Sequence, residues 1–128
     1  RDELGTSMLE NFGVFRRPEK MERQIETIAA LRERYEAGIV VDDKGDVFNN
    51  DLTQAIELGY LLDIADCMLT AGIARTESRG AHSRPYDLPD RDDENFLKHS
   101  ISRWLDGGVD PSYKEVRMTK WEPTERKY

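Results

Sequence analysis

The residues best equipped for chemistry in this chain lie between positions 75 and 99. The stretch "RTESRGAHSR" (75–84) places three arginines, a glutamate and a histidine in ten positions. His82 and His99 are the two histidines of the chain, and Asp92, Asp93 and Glu94 stand between them. Such groups can ligate a metal, but their spacing matches none of the zinc-ligand patterns. Ser78 has threonine rather than glycine two positions before it, so it does not sit in a nucleophile elbow. Asp42 and Asp46 have the spacing of calcium-loop ligands. However, Val47 stands where that loop turns on glycine, and Thr53 where it needs a bidentate glutamate. There is no phosphate-cradling loop and no dinucleotide fingerprint. The single cysteine, Cys67, lies in an apolar helical stretch, has no internal partner and reads as a small buried hydrophobe. No catalytic, cofactor-binding or metal-binding residue is therefore assigned.

The stretch does contain a dense balance of opposite charges. Arg75, Arg79, Arg84 and Arg91 face Glu77, Asp87, Asp90, Asp92, Asp93 and Glu94 within twenty residues. The planar arginine fork matches carboxylates two bonds at a time, so such a loop can hold one conformation without a large apolar core. Pro85, Pro89, Tyr86 and Leu88 add stiffness and something to bury. Two roles fit these residues. In a docking latch, Arg75 and Arg79 close a long helix, Gly80 turns the chain, and His82 and Arg84 engage a partner surface. In an internal clamp, Glu77, Arg79, Arg84, Arg91 and Asp92 hold one another. The latch is the expectation carried forward.

These residues follow a helical region. Leu4, Met8, Leu9 and Phe12 predict a helix over 2–12, closed by Gly13. Pro18 at a first helical position, Gly38 as a stop, and the stripe Met21, Ile25, Ile28, Leu31 and Tyr35 predict a second over 18–37. A third is expected over 51–79, with Asp51 as N-cap and Gln54 closing a capping box. Its apolar rows are Leu52, Ile56, Leu62, Ala65, Leu69 and Ile73, with Leu58, Leu61 and Met68 alongside. An arc that wide is normally covered on two sides. The short connections predict an antiparallel bundle. Residues 81–97 should lack long regular structure apart from a short helical turn capped by Asp90, and 99–104 should pair with 113–121 in a hairpin. The fold class is mainly α: a three-helix antiparallel bundle (1–80), then an extended docking segment with a small C-terminal β-hairpin and polar tail (81–128). At 128 residues this is one domain. A net charge of −7 argues against nucleic acid as partner. No apolar run reaches the roughly 18–20 residues of a membrane span, which argues against direct membrane insertion. The opening "RDELGTSMLENF" has no initiator methionine and reads as already helical, so the chain is expected to be a piece of something longer.

"RTESRGAHSR", "DLPDRDDENFLKHS" and a closing pattern of Pro123, Arg126 and Tyr128 resemble the C-terminal region of succinate dehydrogenase and fumarate reductase flavoprotein subunits. "NFGVFR" and "LRERYEAG" resemble the same domain, so the likeness spans nearly the whole chain. L-aspartate oxidases share the element formed here by Ser78, Arg79, Gly80 and His82, but "RDDENFLKHS" disfavours that branch. The resemblance implies a parent enzyme that oxidises succinate to fumarate, or the reverse, through a covalently held FAD. Its electrons then pass through an iron–sulfur subunit to quinone. It also implies a location on the cytoplasmic, inner face of a membrane, peripheral and within a complex. The flavin- and substrate-binding elements of that family have no counterpart in this sequence, so the chain itself is expected to bind no FAD and to be inactive. Its implied role is a helical domain packed on the flavin-binding domain of the same parent chain. A free-standing helical adaptor and a small metal enzyme built on His82, His99 and the aspartates are the competing readings.

Overall fold

The computed structural model describes residues 1–105 and 108–124. Helices α1 (Asp2–Phe12), α2 (Pro18–Glu36) and α3 (Asn50–Ala74) are followed by one helical turn, α4 (Asp93–Phe96), and by strands β1 (Lys98–Leu105) and β2 (Gly108–Glu115). α2 packs against both α1 and α3, and the β1–β2 ribbon lies on α3. The expected bundle with a small C-terminal hairpin is the fold observed.

Each of the first two helices follows from its local sequence. Pro18 opens α2 from an extended Arg17, and Glu19 lies in its first turn. After Ala37, Gly38 adopts φ +120°, a conformation that favours glycine. The core is formed by Leu4 and Phe12 of α1, Met21 and Ile28 of α2, and Leu62, Ala65 and Leu69 of α3. One polar group lies fully inside it. Gln24 accepts from the Asn11 amide at 2.9 Å and donates to Ser7 Oγ at 3.0 Å, so its burial leaves no polar atom unpaired. Gly72 is required by packing, because a Cβ there would stand 2.4 Å from the Phe12 ring.

Four expectations need correction. The third helix ends at Ala74, not at 79, because Arg75 turns to extended backbone and its guanidinium is drawn to the carbonyls of Phe96 and Lys98. Its N-cap is Asn49, whose side chain accepts from Leu52 N at 2.8 Å; Asp51 instead accepts from Asp43 N in the preceding loop. α4 is capped by Asp92, which accepts from Asn95 N at 3.0 Å, while Asp90 contributes a backbone carbonyl to Ser78 N. The hairpin pairs Lys98 with Glu115 and Leu105 with Gly108. Residues 108–112, expected as loop, are therefore strand, and 116–121 lie outside it. Pro111 is tolerated because β2 is an edge strand. Residues 106–107, and Arg126 and Tyr128 of the closing pattern, lie outside the described residues.

The wide apolar arc of α3 divides in two. Leu62, Ala65 and Leu69 are buried, whereas Leu52, Ile56, Tyr60, Ile64 and Met68, four residues apart along one side of α3, are about half exposed or more. Among the described residues no helix is long and apolar enough to cross a membrane.

Candidate functional site

Beyond Ala74 the chain abandons the helix and folds the arginine-rich stretch upon itself. Gly80, at φ +57°, reverses it so that Arg79 and His82 exchange both backbone hydrogen bonds, at 2.7 and 3.0 Å. Ser78 ties the return strand down. Its hydroxyl donates to the Leu88 carbonyl at 2.7 Å and accepts from Arg84 N at 2.7 Å, which leaves it no role as a nucleophile. Ser83 then bridges to the α1–α2 junction, accepting from Arg16 N at 2.8 Å and donating to Val14 O at 3.1 Å.

At the centre lies Glu77, 0% exposed. One carboxylate oxygen accepts from Arg75 Nη1 and from Arg79 Nε at 2.8 Å. The other accepts from Arg79 Nη2 at 3.0 Å and from the Asp92 backbone N–H at 2.8 Å. Burial pushes the Glu77 carboxyl up. The donors from Arg79, Asp92 and Arg75 outweigh that push and hold it below its ordinary value. Arg75 also donates to the carbonyls of Phe96 and Lys98 and to Ser100 Oγ, so one guanidinium ties the end of α3 to α4 and β1.

The remaining predicted residues lie around this centre. Arg79 Nη2 reaches Asp93 at 2.6 Å, and Arg91 binds the other oxygen of Asp93 at 2.7 Å. Asp92 contributes its backbone to Glu77 and its carboxylate to the α4 cap. Arg84, itself buried, is held separately through a fork onto Asp87. His82 Nε2 lies 3.2 Å from the Arg75 carbonyl, and its Nδ1 meets Arg16 Nη1. A carbonyl only accepts and a guanidinium only donates, so the ring is the neutral tautomer with hydrogen on Nε2. Burial and the charges of Arg16, Arg84 and Arg75 lower its pKa in keeping with this.

Sequence reasoning did not single out Arg16, which comes from the distant "NFGVFR" segment. Nor did it give Asp93 its bridge between Arg79 and Arg91 or Asp87 its pairing with Arg84, although both stand in the acidic run it recognised. His99 is exposed on β1, and no group of three or more potential metal ligands forms among the described residues. With both oxygens of buried Glu77 bound by fixed donors, the cluster is equipped to hold geometry rather than to transfer protons or groups.

Comparison with known proteins gives one consistent outcome. The family model described as fumarate reductase flavoprotein C-term matches residues 1–128. The fumarate reductase flavoprotein subunit of Haemophilus influenzae is 43% identical over 129 residues, covering 100% of this chain and 21% of that protein. The succinate dehydrogenase flavoprotein subunit of Coxiella burnetii is 40% identical over 118 residues, covering 92% of this chain and 19% of the other. Among solved structures, a variant E. coli quinol fumarate reductase FrdA superposes with a TM-score of 0.87 at 42% identity, over 97% of this chain and 21% of that one. The chain thus spans about a fifth of the length of the relatives it matches. On the whole-length match and the shared fold, the chain belongs to the fumarate reductase flavoprotein C-terminal family.

Proposed function

We propose that the chain is the helical C-terminal domain of a flavoprotein subunit that interconverts succinate and fumarate through FAD and passes electrons by way of an iron–sulfur subunit to quinone. Its partners are the flavin-binding domain of the same parent chain and that iron–sulfur subunit. The assembly lies peripherally on the cytoplasmic, inner face of a membrane. Within the parent this domain is structural: 1–80 form the bundle, and 81–128 the segment that runs over the flavin-binding domain. The observation that carries the reading is the row Leu52, Ile56, Tyr60, Ile64 and Met68. It is a helical stripe of large apolar side chains left half exposed in a chain whose family is a C-terminal portion of much longer proteins.

On this reading the flavin is held outside this chain, whose sequence includes no G-x-G-x-x-G turn. Flavin chemistry belongs to other parts of the parent. The arginine cluster is read here as the internal clamp rather than the latch, on the support of four donors from this chain converging on buried Glu77.

The test is Ile64→Glu in the parent subunit. A charge placed at a covered apolar contact costs several kcal/mol, whereas at a solvated helix position it stays within about 0.5 kcal/mol. The reading requires lower flavin retention and succinate–dye turnover in the parent, with an unchanged melt of the 128-residue chain. Full activity of the variant parent would end it.

A further inference from the structure

Arg16 carries a charge that has no counter-ion among the described residues. Its Nε donates to the Gly13 carbonyl at 3.1 Å, its Nη1 meets neutral His82, and its Cζ lies 3.8 Å above the Phe12 ring. Nη1 is also seated over Gly72, where an added Cβ would stand 3.2 Å away. The side chain is therefore fixed on three sides, yet among the described residues no carboxylate pairs with it. Arg75, Arg79, Arg84 and Arg91 close by are each matched to Glu77, Asp87 or Asp93. The carbonyl end of α1 offsets part of the charge, not all of it. Burial without a carboxylate pulls the Arg16 pKa down.

Nη2 of Arg16 has no partner among the described residues, and no buried side-chain nitrogen or oxygen among them is unsatisfied. Nη2 is therefore not sealed from solvent. Arg16 borders a cleft of about 230 Å³ lined also by Arg75, His82 and Ser100 with Phe12 and Met68, and none of the described residues lining it is acidic. Ser100 Oγ accepts from Arg75 at 3.0 Å, so its own proton is free to donate. A fixed guanidinium edge, a nearby hydroxyl donor and an apolar floor without competing anions match a carboxylate, which accepts from such donors in charge-assisted bonds.

We infer that the Arg16–His82–Ser100 cleft is a carboxylate-binding site, with Arg16 as the ligand-bearing charge and His82 as the group that orients it. The site is complete within this chain and does not depend on the docking role proposed above. The carboxylate is either an aspartate or glutamate side chain of the parent subunit or a small free carboxylate.

The test uses the full-length flavoprotein subunit carrying Arg16→Lys, which keeps the charge and supplies an amine. Zero-length carbodiimide coupling followed by peptide mass spectrometry reads what the amine touches, and Lys20, whose amine donates to the Glu10 carbonyl, is the internal reference. An ordered carboxylate at such a site has a high effective concentration, so amide at position 16 should exceed that at Lys20 roughly tenfold. A link to an aspartate or glutamate outside residues 1–128 identifies a side-chain source. An acetamide formed only when sodium acetate replaces chloride identifies a free one. As a second measurement, the wild-type subunit is melted in acetate against chloride at fixed ionic strength, beside Arg16→Gln. A free source predicts stabilisation by acetate that Arg16→Gln abolishes. No enrichment over Lys20, together with equal melts in the two salts, would overturn the site.

Discussion

Replacing Glu77 with glutamine keeps the side-chain volume and removes one charge from the centre of the arginine cluster. Whichever way the amide is placed, its NH2 faces two donors where an oxygen stood: Arg75 Nη1 with Arg79 Nε, or Arg79 Nη2 with the Asp92 N–H. A buried donor left unmatched costs about 1–3 kcal/mol, and breaking a buried ion pair by removing one partner about 3–5 kcal/mol. These overlap rather than add, so the expected loss for Glu77→Gln is about 3–5 kcal/mol at pH 7. For a domain of this size that lowers Tm by about 10–20 °C. The assay is urea and thermal unfolding of the 128-residue chain followed by circular dichroism. The pH dependence supplies a second check. Because the folded carboxyl is held below its ordinary value, its stabilisation is full above the usual glutamate range, about 4.3, and is lost as pH falls through the folded value. Wild type should lose stability in that acidic window, and Glu77→Gln should lack that component. A cost below about 1 kcal/mol at pH 7, the range of an exposed pair, would refute the clamp.

Arg79→Ala should destabilise the 128-residue chain by about 3 kcal/mol, since it removes two bonds to Glu77 and one to Asp93; a latch predicts almost no change in that chain. Gly72→Ala should cost about 1–3 kcal/mol in urea unfolding, because the new methyl meets the Phe12 ring. The His82 ring should remain the neutral Nε2–H tautomer at pH 7 and titrate below the ordinary histidine value of about 6.5, read by nitrogen–proton NMR correlation. A folded pKa below the unfolded one means that its contribution is present above about pH 6.5 and is lost as pH falls through the folded value.

Local signals were sufficient for α1 and α2, where apolar spacing, Pro18 and Gly38 all act within a few residues. They failed where a distant group decides. α3 stops at Ala74 because Arg75 finds the carbonyls of Phe96 and Lys98 more than twenty positions away, although propensity alone would carry the helix on. The exchange of Asn49 for Asp51 as N-cap is a two-residue ambiguity between equally good capping types. The charged loop was recognisable by composition, yet which arginine meets which acid depends on the reversal at Gly80. The contact between Arg16 and His82 joins positions 66 apart and left no signature in either segment. The split of the α3 arc into a buried and an exposed row likewise depends on which neighbours are present.

The most direct test of the docking account is hydroxyl-radical footprinting of Tyr60 and Met68, whose exposures in this chain are 63% and 50%. Oxidation of both is measured by mass spectrometry in the separately expressed 128-residue chain and in the full-length flavoprotein subunit, at matched radical dose. If the α3 row lies against the flavin-binding domain, both residues react readily in the chain and fall several-fold in the full subunit, while exposed Phe48, in the loop before α3, is oxidised equally in both. Equal oxidation of Tyr60 and Met68 in the two proteins would contradict the account.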